Sequence, residues 1–485
     1  MKKIIHKHWP IILYLFFYTI IFSVKLFQNP FPFFDWDESI YAQVGKEMVE
    51  HWSIVPLWQG HAWLDKPPLV PLFYGLVIHA TPFLLPEVSS RIATLLLSVS
   101  VLGLMYVLYF KVIKESWLTT LVIIITSLTP IFLQRAQVLN VDVFLLLGWL
   151  GYIVFYKRFW RALLFLSFAV YSKSLIGFYP VGIMGLFYIY QYITKQISLK
   201  KGLAQIKRLM VQVAILSLWY VAMFGAYGQP FLYEHFYESH IKRVTASIES
   251  HFGKRTFYID LLYEQYGKYA FLASIGFFTL IFQWLRKKLN DKNLLFSLFF
   301  IPWFLFLNAT KTKIFWYGHP YLGQFALLMV YPLVVLKRFR LLYMSILLII
   351  IGMILQYYFV QQTVLDDFYS SVDPHYTLAK EASNKCKTLY MVIEPEGRIA
   401  SQTLERMNLL ITTSKWWGNH PSMVYYFTGD LTFVYTLTTL DTINTYAIPE
   451  SCIAIHQNDH EAQDKITRYT LFNTYSPYIL YIASN

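Results

Sequence analysis

Long apolar runs alternate with short polar segments along most of the chain. A helix of about 20 apolar residues crosses the hydrocarbon core of a bilayer, so each run is a candidate membrane span. The first run is long and aromatic and is followed by no small-residue cleavage site, so we expect it to stay as a signal anchor. The pattern predicts about eleven spans, at residues 9–27, 88–110, 117–133, 138–156, 159–171, 175–192, 209–227, 269–285, 294–307, 321–336 and 341–360.

The composition agrees with a polytopic membrane protein. Of the 485 residues, 56% are hydrophobic and 14% are charged, and the mean hydropathy is +0.43. Soluble domains carry about 25% charged residues. The formal net charge of +13 is typical of basic cytoplasmic loops in a membrane protein. We therefore expect a lipid bilayer around this chain and no nucleic-acid partner.

Basic and acidic residues fall in two different sets of loops. One set is dense in Lys and Arg, has only Glu115 and Asp291 as acids, and consists of the segments MKKIIHKH, KVIKES, YKRFWR, TKQISLKKGLAQIKR, RKKLNDKN and KRFR. The positive-inside rule places that set in the cytoplasm. The other set holds almost every acid before residue 361. Because acids contribute little to membrane topology, their segregation indicates a working surface on the outer face.

The last part of the chain, 361–485, is polar and predicts a small α/β domain outside the cytoplasm. Its β-like runs are TLYMVIE, MVYYFTG, LTFVYTLTTL and CIAIHQ. Cys386 and Cys452 each stand at the start of one of these runs. An oxidising compartment would permit a disulfide between them, and the sequence leaves that pairing open. The sequence has no CxxC motif or Cys/His cluster that would indicate zinc or redox chemistry.

Three acids stand in the segment DWDES, residues 35–39, just after the first span. Residues 39–52 carry one apolar and one polar helical stripe, which predicts an amphipathic helix in the plane of the membrane interface. Asp37 and Ser39 are both suitable N-cap residues for it, so Asp37 has a structural interpretation beside a chemical one. We expect Asp35 to be solvated.

Lys66 lies in the segment DKPP, before two prolines that fix the chain and disfavour helix at that point. A lone lysine at a membrane edge is commonly a snorkelling anchor. A cation that is held in place beside an acid also suits a phosphate group, because little conformational entropy remains to be lost on binding.

The pattern WDESIYAQVGKEMVEHW…P…G…DKPPL resembles the first outer loop of lipid-phosphate-dependent glycosyltransferases of the GT-C fold. The similar branch is the bacterial one shared by protein O-mannosyltransferases and lipid A aminoarabinose transferases. The resemblance covers roughly residues 1–340. It implies a GT-C-like catalytic module at 1–360, with 361–485 as the extracytoplasmic α/β domain.

Further segments resemble the family in the same order along the chain. They are QRAQVLNVD, SKSLIGFYP, ESHFGKRTFYIDLL and NATKTKIFWYGHPYLG. Two departures are Ile40, where the family often has Arg, and Asp65, where some members have Glu. The residues that the resemblance selects are Arg135, Asp142, Lys173, His251, Lys313 and Tyr317.

The resemblance implies transfer of a sugar from a polyprenyl-phosphate donor, with the lipid phosphate as leaving group. Such a reaction requires a base for the acceptor hydroxyl and cations for the phosphate. We expect Asp37 as the base, with Glu38 beside it facing acceptor and sugar. Lys66 is the expected principal phosphate ligand. Lys173, Lys313 and Tyr317 are further candidates for the donor, and Arg135, Asp142 and His251 for the substrates.

Several of these residues also have plainer interpretations. Asp142 could cap a helix or pair with Arg135, and His251 could be an ordinary loop residue. Asp65 and His251 could together hold a divalent metal, although two ligands are too few to establish a metal cofactor. The alternatives to a glycosyltransferase are a membrane oligosaccharide ligase or polymerase, a transporter, and a non-catalytic assembly subunit. The acceptor could be lipid A or another part of a lipopolysaccharide, a polysaccharide or a protein hydroxyl, at the cell (inner) membrane.

Overall fold

The computed structural model describes residues 2–245, 251, 253–337, 339–368, 372–399 and 420–484. Helices dominate as far as Phe368, and a sheet with short helices follows, which confirms the predicted helical membrane protein with a small α/β domain. The helices are α1 (Lys2–Gln28), α2 (Asp37–Glu50), α3 (Leu69–Ala80), α4 (Pro86–Ile113), α5 (Ser116–Ser127), α6 (Pro130–Gln137), α7 (Asp142–Phe155), α8 (Phe159–Lys173), α9 (Tyr179–Ile193), α10 (Leu199–Phe231), α11 (Arg243–Thr245), α12 (Phe257–Tyr266), α13 (Phe271–Leu285), α14 (Asp291–Leu298), α15 (Ile301–Ala309), α16 (His319–Leu336), α17 (Arg340–Phe368), α18 (Pro374–Ser383), α19 (Pro421–Tyr426), α20 (Leu437–Thr445) and α21 (His460–Gln463). A π-helical segment covers Leu232–Lys242, and 3-10 turns cover Ser174–Phe178, Gly267–Ala270 and Phe315–Gly318.

Six helical runs among the described residues are long and apolar enough to cross a membrane, and the number rises to eight if each of two bent pairs is one span. The bent pairs are α5 with α6, at 74°, and α14 with α15, at 41°. The chain is therefore a multi-pass membrane protein. The six runs are His6–Gln28, Pro86–Ile113, Phe159–Ile193, Leu199–Thr245, Phe257–Leu285 and Phe315–Leu336.

The predicted count of about eleven spans is not confirmed, and helix length is the reason. α7 has 14 residues, which reach about 21 Å, whereas the hydrocarbon core is about 30 Å thick. The predicted spans 159–171 and 175–192 fall in one helical run, Phe159–Ile193, in which Ser174 adopts a φ of 55°. Each predicted span does overlap an apolar helix. Hydrophobicity therefore locates the helices but overstates how many are long enough to cross alone.

Helix α2 differs from the predicted interfacial helix in its start and in its burial. It begins at Asp37, its N-cap position is Trp36, and no side chain caps it. Ser39 instead donates its hydroxyl to the carbonyl of Phe34 at 2.7 Å. Eleven of its 14 residues are buried, so the helix lies inside the protein and not at its edge. The predicted polar stripe is exposed only in part, because other elements cover Gln43 and Glu47, whereas Lys46 and Glu50 are exposed.

Two features of α2 explain its burial. The polar residue Glu47 accepts hydrogen bonds from the backbone N–H groups of Gln59 and Gly60, at 2.8 and 2.9 Å, and thereby holds a small hairpin formed by β1 (Leu57–Trp58) and β2 (His61–Ala62). On another side α2 crosses α3 so closely that a Cβ on Gly45 would lie 2.3 Å from the Pro71 carbonyl oxygen. Glycine is therefore required where these two helices meet.

The C-terminal domain contains a five-stranded mixed sheet in the order β4–β3–β5–β7–β6. Its strands are β3 (Thr388–Val392), β4 (Asp430–Val434), β5 (Ser451–His456), β6 (Tyr469–Tyr475) and β7 (Tyr478–Ala483). β3 runs parallel to β4 and β5, and β7 is antiparallel to both of its neighbours. Cys386 and Cys452 form a disulfide with their Cα atoms 5.9 Å apart.

The predicted β-like runs of this domain are only partly strands. TLYMVIE and CIAIHQ supply β3 and β5 as predicted. LTFVYTLTTL divides into β4 and helix α20, where the Thr436 side chain accepts a hydrogen bond from the Thr439 backbone N–H and caps the helix. The prediction of a strand in MVYYFTG is wrong, because these residues lie mainly in α19. That helix begins at Pro421, whose fixed φ and missing N–H suit a first helical turn.

The C-terminal domain rests on the loop between α1 and α2. The hydroxyl of Tyr426 accepts from the Phe33 backbone N–H at 2.7 Å and donates to Glu87 at 2.6 Å. Asp35 accepts from the backbone N–H and the hydroxyl of Ser422, at 2.9 and 2.6 Å. The expectation that Asp35 is solvated is therefore wrong. Its carboxylate joins the two parts of the protein.

Candidate active site

A cavity of about 530 Å³ opens beside the start of α2. Its wall combines ionisable groups with aromatic and aliphatic side chains, as in many small-molecule sites. The ionisable residues of the wall are Asp37, Asp65, Lys66, Lys173, His240 and Arg243, and its apolar members include Trp36, Leu175, Ile176, Trp303, Phe306 and Leu307. Asp37, Asp65, Lys66, Lys173 and Tyr317, which are all site residues predicted from the sequence, meet in this cavity.

Asp37 is the first residue of α2, and its side chain is 42% exposed towards the cavity. Its Oδ2 lies 3.6 Å from the guanidinium of Arg135. The surrounding protein desolvates the Asp37 carboxyl and raises its pKa, although part of the side chain is open to the cavity, and Arg135 opposes that effect. A carboxylate with a raised pKa accepts a proton more readily at neutral pH. Asp37 is thus both accessible from the cavity and suited to act as a base.

Behind Asp37 lies a buried ion-pair network centred on Asp142. The Asp142 carboxylate accepts from the Lys173 ammonium at 2.5 Å and from the Arg135 guanidinium at 3.1 Å. Both cations also face aromatic rings, with Arg135 4.9 Å from the Trp316 ring and Lys173 4.3 Å from that of Tyr317. Asp142 therefore pairs with Arg135, as one of its two structural interpretations suggested, and it also pairs with Lys173. Its charge holds two cations beside Asp37.

A second charged group surrounds Lys66, at the DKPP turn. The Lys66 ammonium lies 2.6 Å from the Asp65 carboxylate, which also accepts from the hydroxyl of Ser239. Burial would raise the pKa of the Asp65 carboxyl, but Lys66 and Arg243 outweigh it and hold that pKa at about 2. Asp65 therefore stays ionised and orients Lys66, whose side chain is 16% exposed.

The charges along the cavity wall leave a positive excess. Asp37 and Asp65 contribute two negative charges, whereas Lys66, Lys173 and Arg243 contribute three positive ones. Arg135 and Asp142, just behind the wall, cancel each other and keep the balance at one positive charge. A cavity with a positive excess and charged N–H donors that are held in place suits an anionic group such as a phosphate.

Glu38 does not line this cavity. The expectation that it faces the acceptor and the sugar beside Asp37 is therefore wrong. It is buried in an ion pair with Arg91, at 2.6 Å. It also accepts hydrogen bonds from the backbone N–H groups of Phe34 and Leu139, at 3.0 and 2.9 Å. These contacts tie the start of α2 to α4 and to the chain before α7. Glu38 holds the scaffold on which Asp37 stands.

Lys313 and His251 also lie outside the cavity wall. The Lys313 ammonium donates to the carbonyl oxygens of Leu307 and Asn308, at 2.9 and 3.0 Å, at the C-terminal end of α15. A cation there satisfies carbonyl groups that the helix leaves unpaired. His251 lies with its ring 6.4 Å from that of Trp316. Glu249, Ser250 and Phe252 of the same segment lie outside the described residues.

Arg243, His240 and Ser239 belong to the site although the sequence did not single them out. All three come from the end of the long helical run that begins with α10. Arg243 also donates to the Tyr317 hydroxyl at 3.3 Å. Within the described part of the chain, no hydrogen-bond partner faces His240 Nε2. Charge alone does not distinguish Arg243, because Lys242, Lys254 and Arg255 stand in the same predicted outer loop.

In sequence, no family model and no curated protein matches the chain. In structure, it is similar to ArnT from Cupriavidus metallidurans bound to undecaprenyl phosphate, with a TM-score of 0.67, 14% identity and 97% of both chains covered. The apo state of that protein gives a TM-score of 0.64 at 13% identity, over 95% of this chain and 97% of the other.

A further similar structure is the archaeal oligosaccharyltransferase AglB from Archaeoglobus fulgidus, in complex with an inhibitory peptide and a dolichol-phosphate. Its TM-score is 0.54 at 12% identity, over 84% of this chain and 60% of that one. At these identities the likeness shows the fold. The chain therefore has the predicted GT-C fold, and the ArnT likeness extends over its C-terminal domain as well.

Proposed function

We propose that this multi-pass membrane protein with the GT-C fold is a glycosyltransferase that moves a sugar from a polyprenyl-phosphate donor to a hydroxyl acceptor. One observation carries the proposal. A cavity-exposed carboxylate, Asp37, and a positive excess at Lys66, Lys173 and Arg243 share one cavity of about 530 Å³. A base and a phosphate-binding group are the two parts that such a transfer requires.

The donor is the half of the reaction with the more direct support. The ArnT structure contains undecaprenyl phosphate, and the AglB structure contains dolichol-phosphate. In this chain Lys66 and Arg243 offer charged donors for a phosphate, and the apolar residues of the same wall offer contact for an isoprenoid chain. We assign Lys66 as the principal phosphate ligand, because its turn and the Asp65 carboxylate fix its position.

The reaction is displacement at the anomeric carbon of the sugar. The acceptor oxygen forms a bond to that carbon as its proton passes to the carboxylate of Asp37. The bond from the carbon to the phosphate oxygen breaks, and its electron pair leaves with the lipid phosphate, whose charge the cations stabilise. Arg135 and Lys173, held by Asp142, position Asp37 and compensate its charge before the proton arrives.

Two of the predicted roles are narrower in this proposal. Glu38 acts through the scaffold, because its contacts are with Arg91 and backbone groups. Lys313 likewise stabilises the end of α15. A divalent metal at Asp65 and His251 stays a prediction. Because Asp65 already binds Lys66 and Ser239, we route no step of the reaction through a metal.

We place the reaction on the outer face of the cell membrane. The Lys and Arg segregation supports this orientation, and the Cys386–Cys452 disulfide is typical of an oxidising compartment. The transferred group is a hexosyl or pentosyl unit, and the acceptor is a hydroxyl of lipid A or another part of a lipopolysaccharide, of a polysaccharide, or of a protein. The AglB likeness makes an oligosaccharide ligase the second candidate.

Mass spectrometry of glycolipids, polysaccharides and surface proteins tests the proposal in cells with and without this chain. One glycan unit should disappear without it and return with the wild-type chain, but not with Asp37→Asn. The loss of a single sugar would support the first candidate, and the loss of a whole oligosaccharide would support the ligase. An unchanged set of glycans, with the chain expressed in the control, would refute both.

A further inference from the structure

A cluster of ionisable side chains lies where the C-terminal domain meets the loop before α2. Asp35 comes from that loop, His375 from the first turn of α18, and His420 from the residue before α19. One oxygen or nitrogen atom of each lies within 4.8 Å of those of the other two. All three side chains are largely buried, with 12%, 11% and 16% exposed. Folding has thus brought together two imidazoles and a carboxylate from distant parts of the chain.

Hydrogen bonds from outside the cluster hold one side of His375 and one side of Asp35. The Nδ1 atom of His375 lies 2.5 Å from the Asp373 carboxylate and donates to it. The Oδ1 atom of Asp35 is taken by Ser422, which leaves Oδ2. That oxygen lies 3.1 Å from Nδ1 of His420. The Asp373 carboxylate behind His375 is the usual second partner of a metal-binding imidazole.

The hydroxyl of Tyr478 borders both histidines. It lies 2.9 Å from Glu394, 2.9 Å from Nε2 of His375 and 3.5 Å from Nε2 of His420. Tyr478 has one proton, which the Glu394 carboxylate accepts most favourably. On the other side of the His420 ring, Nδ1–H donates to the Asp35 carboxylate, and a metal ion at the cluster would take the place of that proton.

The three side chains bring two imidazoles and one carboxylate into the same small space, with ligand atoms within 4.8 Å of one another. Asp373 and Glu394 add two further carboxylates around the histidines. The two imidazole rings are stacked with centroids 3.4 Å apart, a distance at which two charged imidazoliums would repel each other. Three carboxylates around two imidazoles that do not both carry a charge leave a negative excess, which one divalent cation would balance.

We propose that Asp35, His375 and His420 bind one divalent metal ion of the zinc class, which fastens the C-terminal domain to the loop that carries Asp37. Two imidazole nitrogens and one carboxylate oxygen form a ligand set that zinc prefers, with a fourth position for water. In a tetrahedral zinc site, neighbouring ligand atoms lie roughly 3.3 Å apart, close to the observed separation of Asp35 and His420. This site is separate from the predicted pair Asp65 and His251.

The position of the ion gives it a structural role next to the candidate active site. Asp35 precedes Trp36, which stands at the N-cap position of α2 and lines the cavity, and Asp37 follows. An ion at Asp35 fixes this short segment from the side of the C-terminal domain. We expect removal of the ion to affect the use of the acceptor more than donor binding. Only this last expectation rests on the proposed function, since metal binding stands on the cluster alone.

The test is the metal content of the purified full-length protein in detergent. After treatment with EDTA and addition of Zn²⁺, wild type should retain about one equivalent by elemental analysis. His375→Ala, His420→Ala and Asp35→Asn should each lose it. Asp373→Asn should weaken Zn²⁺ binding about 10–100-fold, because it removes the partner that orients His375. The control is His460→Ala, which changes an exposed histidine of the same domain and should bind as wild type does.

Two further measurements guard against misfolding of the variants. Co²⁺ added to the metal-free wild type should give the intense visible absorption of a tetrahedral site, and Zn²⁺ should abolish that absorption. Zn²⁺ should also raise the melting temperature of wild type and His460→Ala but not of His420→Ala. A wild-type protein that binds no Zn²⁺ or Co²⁺ at micromolar concentration would refute the site. Stoichiometric binding that survives in all three ligand variants would also refute it.

Discussion

The guanidinium of Arg135 lies 3.6 Å from the carboxylate of Asp37, which is near enough for electrostatic attraction and too far for a strong hydrogen bond. The same guanidinium binds Asp142 more tightly, at 3.1 Å. Asp37 therefore has a compensated charge without losing its lone pairs to a fixed partner. A carboxylate in this condition remains available to accept a proton from a hydroxyl in the cavity.

The first prediction concerns Asp37→Asn. Because no side chain caps α2, the change should leave folding intact. Asparagine cannot accept a proton at neutral pH, so turnover should fall about 10²–10⁴-fold, with donor binding close to wild type. The measurement is sugar transfer from a defined polyprenyl-phosphate donor, together with a melting curve in detergent. Glu50→Gln, at the other end of α2, is the control, and full activity of Asp37→Asn would exclude Asp37 as the base.

The pH dependence of the reaction follows from the direction of the Asp37 pKa. Burial raises this pKa above its ordinary value of about 3.9. A base works only when deprotonated, so kcat/KM should fall as the pH drops through the raised pKa, with a midpoint above about 4. The pH profile of kcat/KM measures it. The residual activity of Asp37→Asn should lack this acidic fall, and an unchanged fall in that variant would assign it to another group.

Lys66→Ala should weaken the binding of a polyprenyl-phosphate sugar. The phosphate would lose a charge-assisted partner, for which about 1.5–3 kcal/mol is typical, or roughly 10- to 150-fold in affinity. Lys66→Arg should restore only part, because the guanidinium differs from an ammonium in shape and reach. Direct binding of the donor lipid is the measurement, and the exposed Lys254→Ala is the control. Unchanged affinity in Lys66→Ala would make this lysine a membrane anchor.

Some of the site could be predicted because its residues stand in short segments with recognisable chemistry. Asp37 and Lys66 belong to two short segments with recognisable chemistry, and both line the cavity. The role of Glu38, the next residue after Asp37, could not be predicted in this way. Successive helix residues point about 100° apart, so Glu38 turns towards Arg91 while Asp37 faces the cavity. That direction depends on where α2 begins, which the capping pattern placed incorrectly.

Other parts depend on contacts that are distant in sequence. Asp35 and His420 are 385 positions apart, and no local pattern connects them. Asp35 therefore looked solvated until the C-terminal domain was in place. The prediction of about eleven spans failed for a different reason. Hydrophobicity records which residues avoid water, and it does not distinguish a helix that crosses the bilayer from a short one such as α7, which other helices surround.

The orientation can be tested with reporter fusions. Because the basic segments define the cytoplasmic side, fusions after Lys114, Lys201 and Lys288 should report the cytoplasm. Fusions after Gly60 and at the C-terminus should report the outside. Cysteine labelling in intact cells provides an independent measurement. A cytoplasmic C-terminal domain would contradict the proposed outer-face reaction, and it would also be at odds with the disulfide between Cys386 and Cys452.

The last prediction separates Glu38 from its neighbour Asp37. Glu38 and Arg91 form a buried pair with side chains 3% and 1% exposed. Removing one partner of such a pair leaves an uncompensated charge, so Glu38→Gln should cost about 3–5 kcal/mol of stability. Asp37→Asn should cost much less, since its side chain is 42% exposed. Melting curves and chemical denaturation in detergent would measure both.

The double variant Glu38→Gln with Arg91→Met should recover part of the loss, because it leaves no charge unpaired. Should Glu38→Gln be as stable as wild type but inactive, Glu38 would return to the list of groups that act on the substrate.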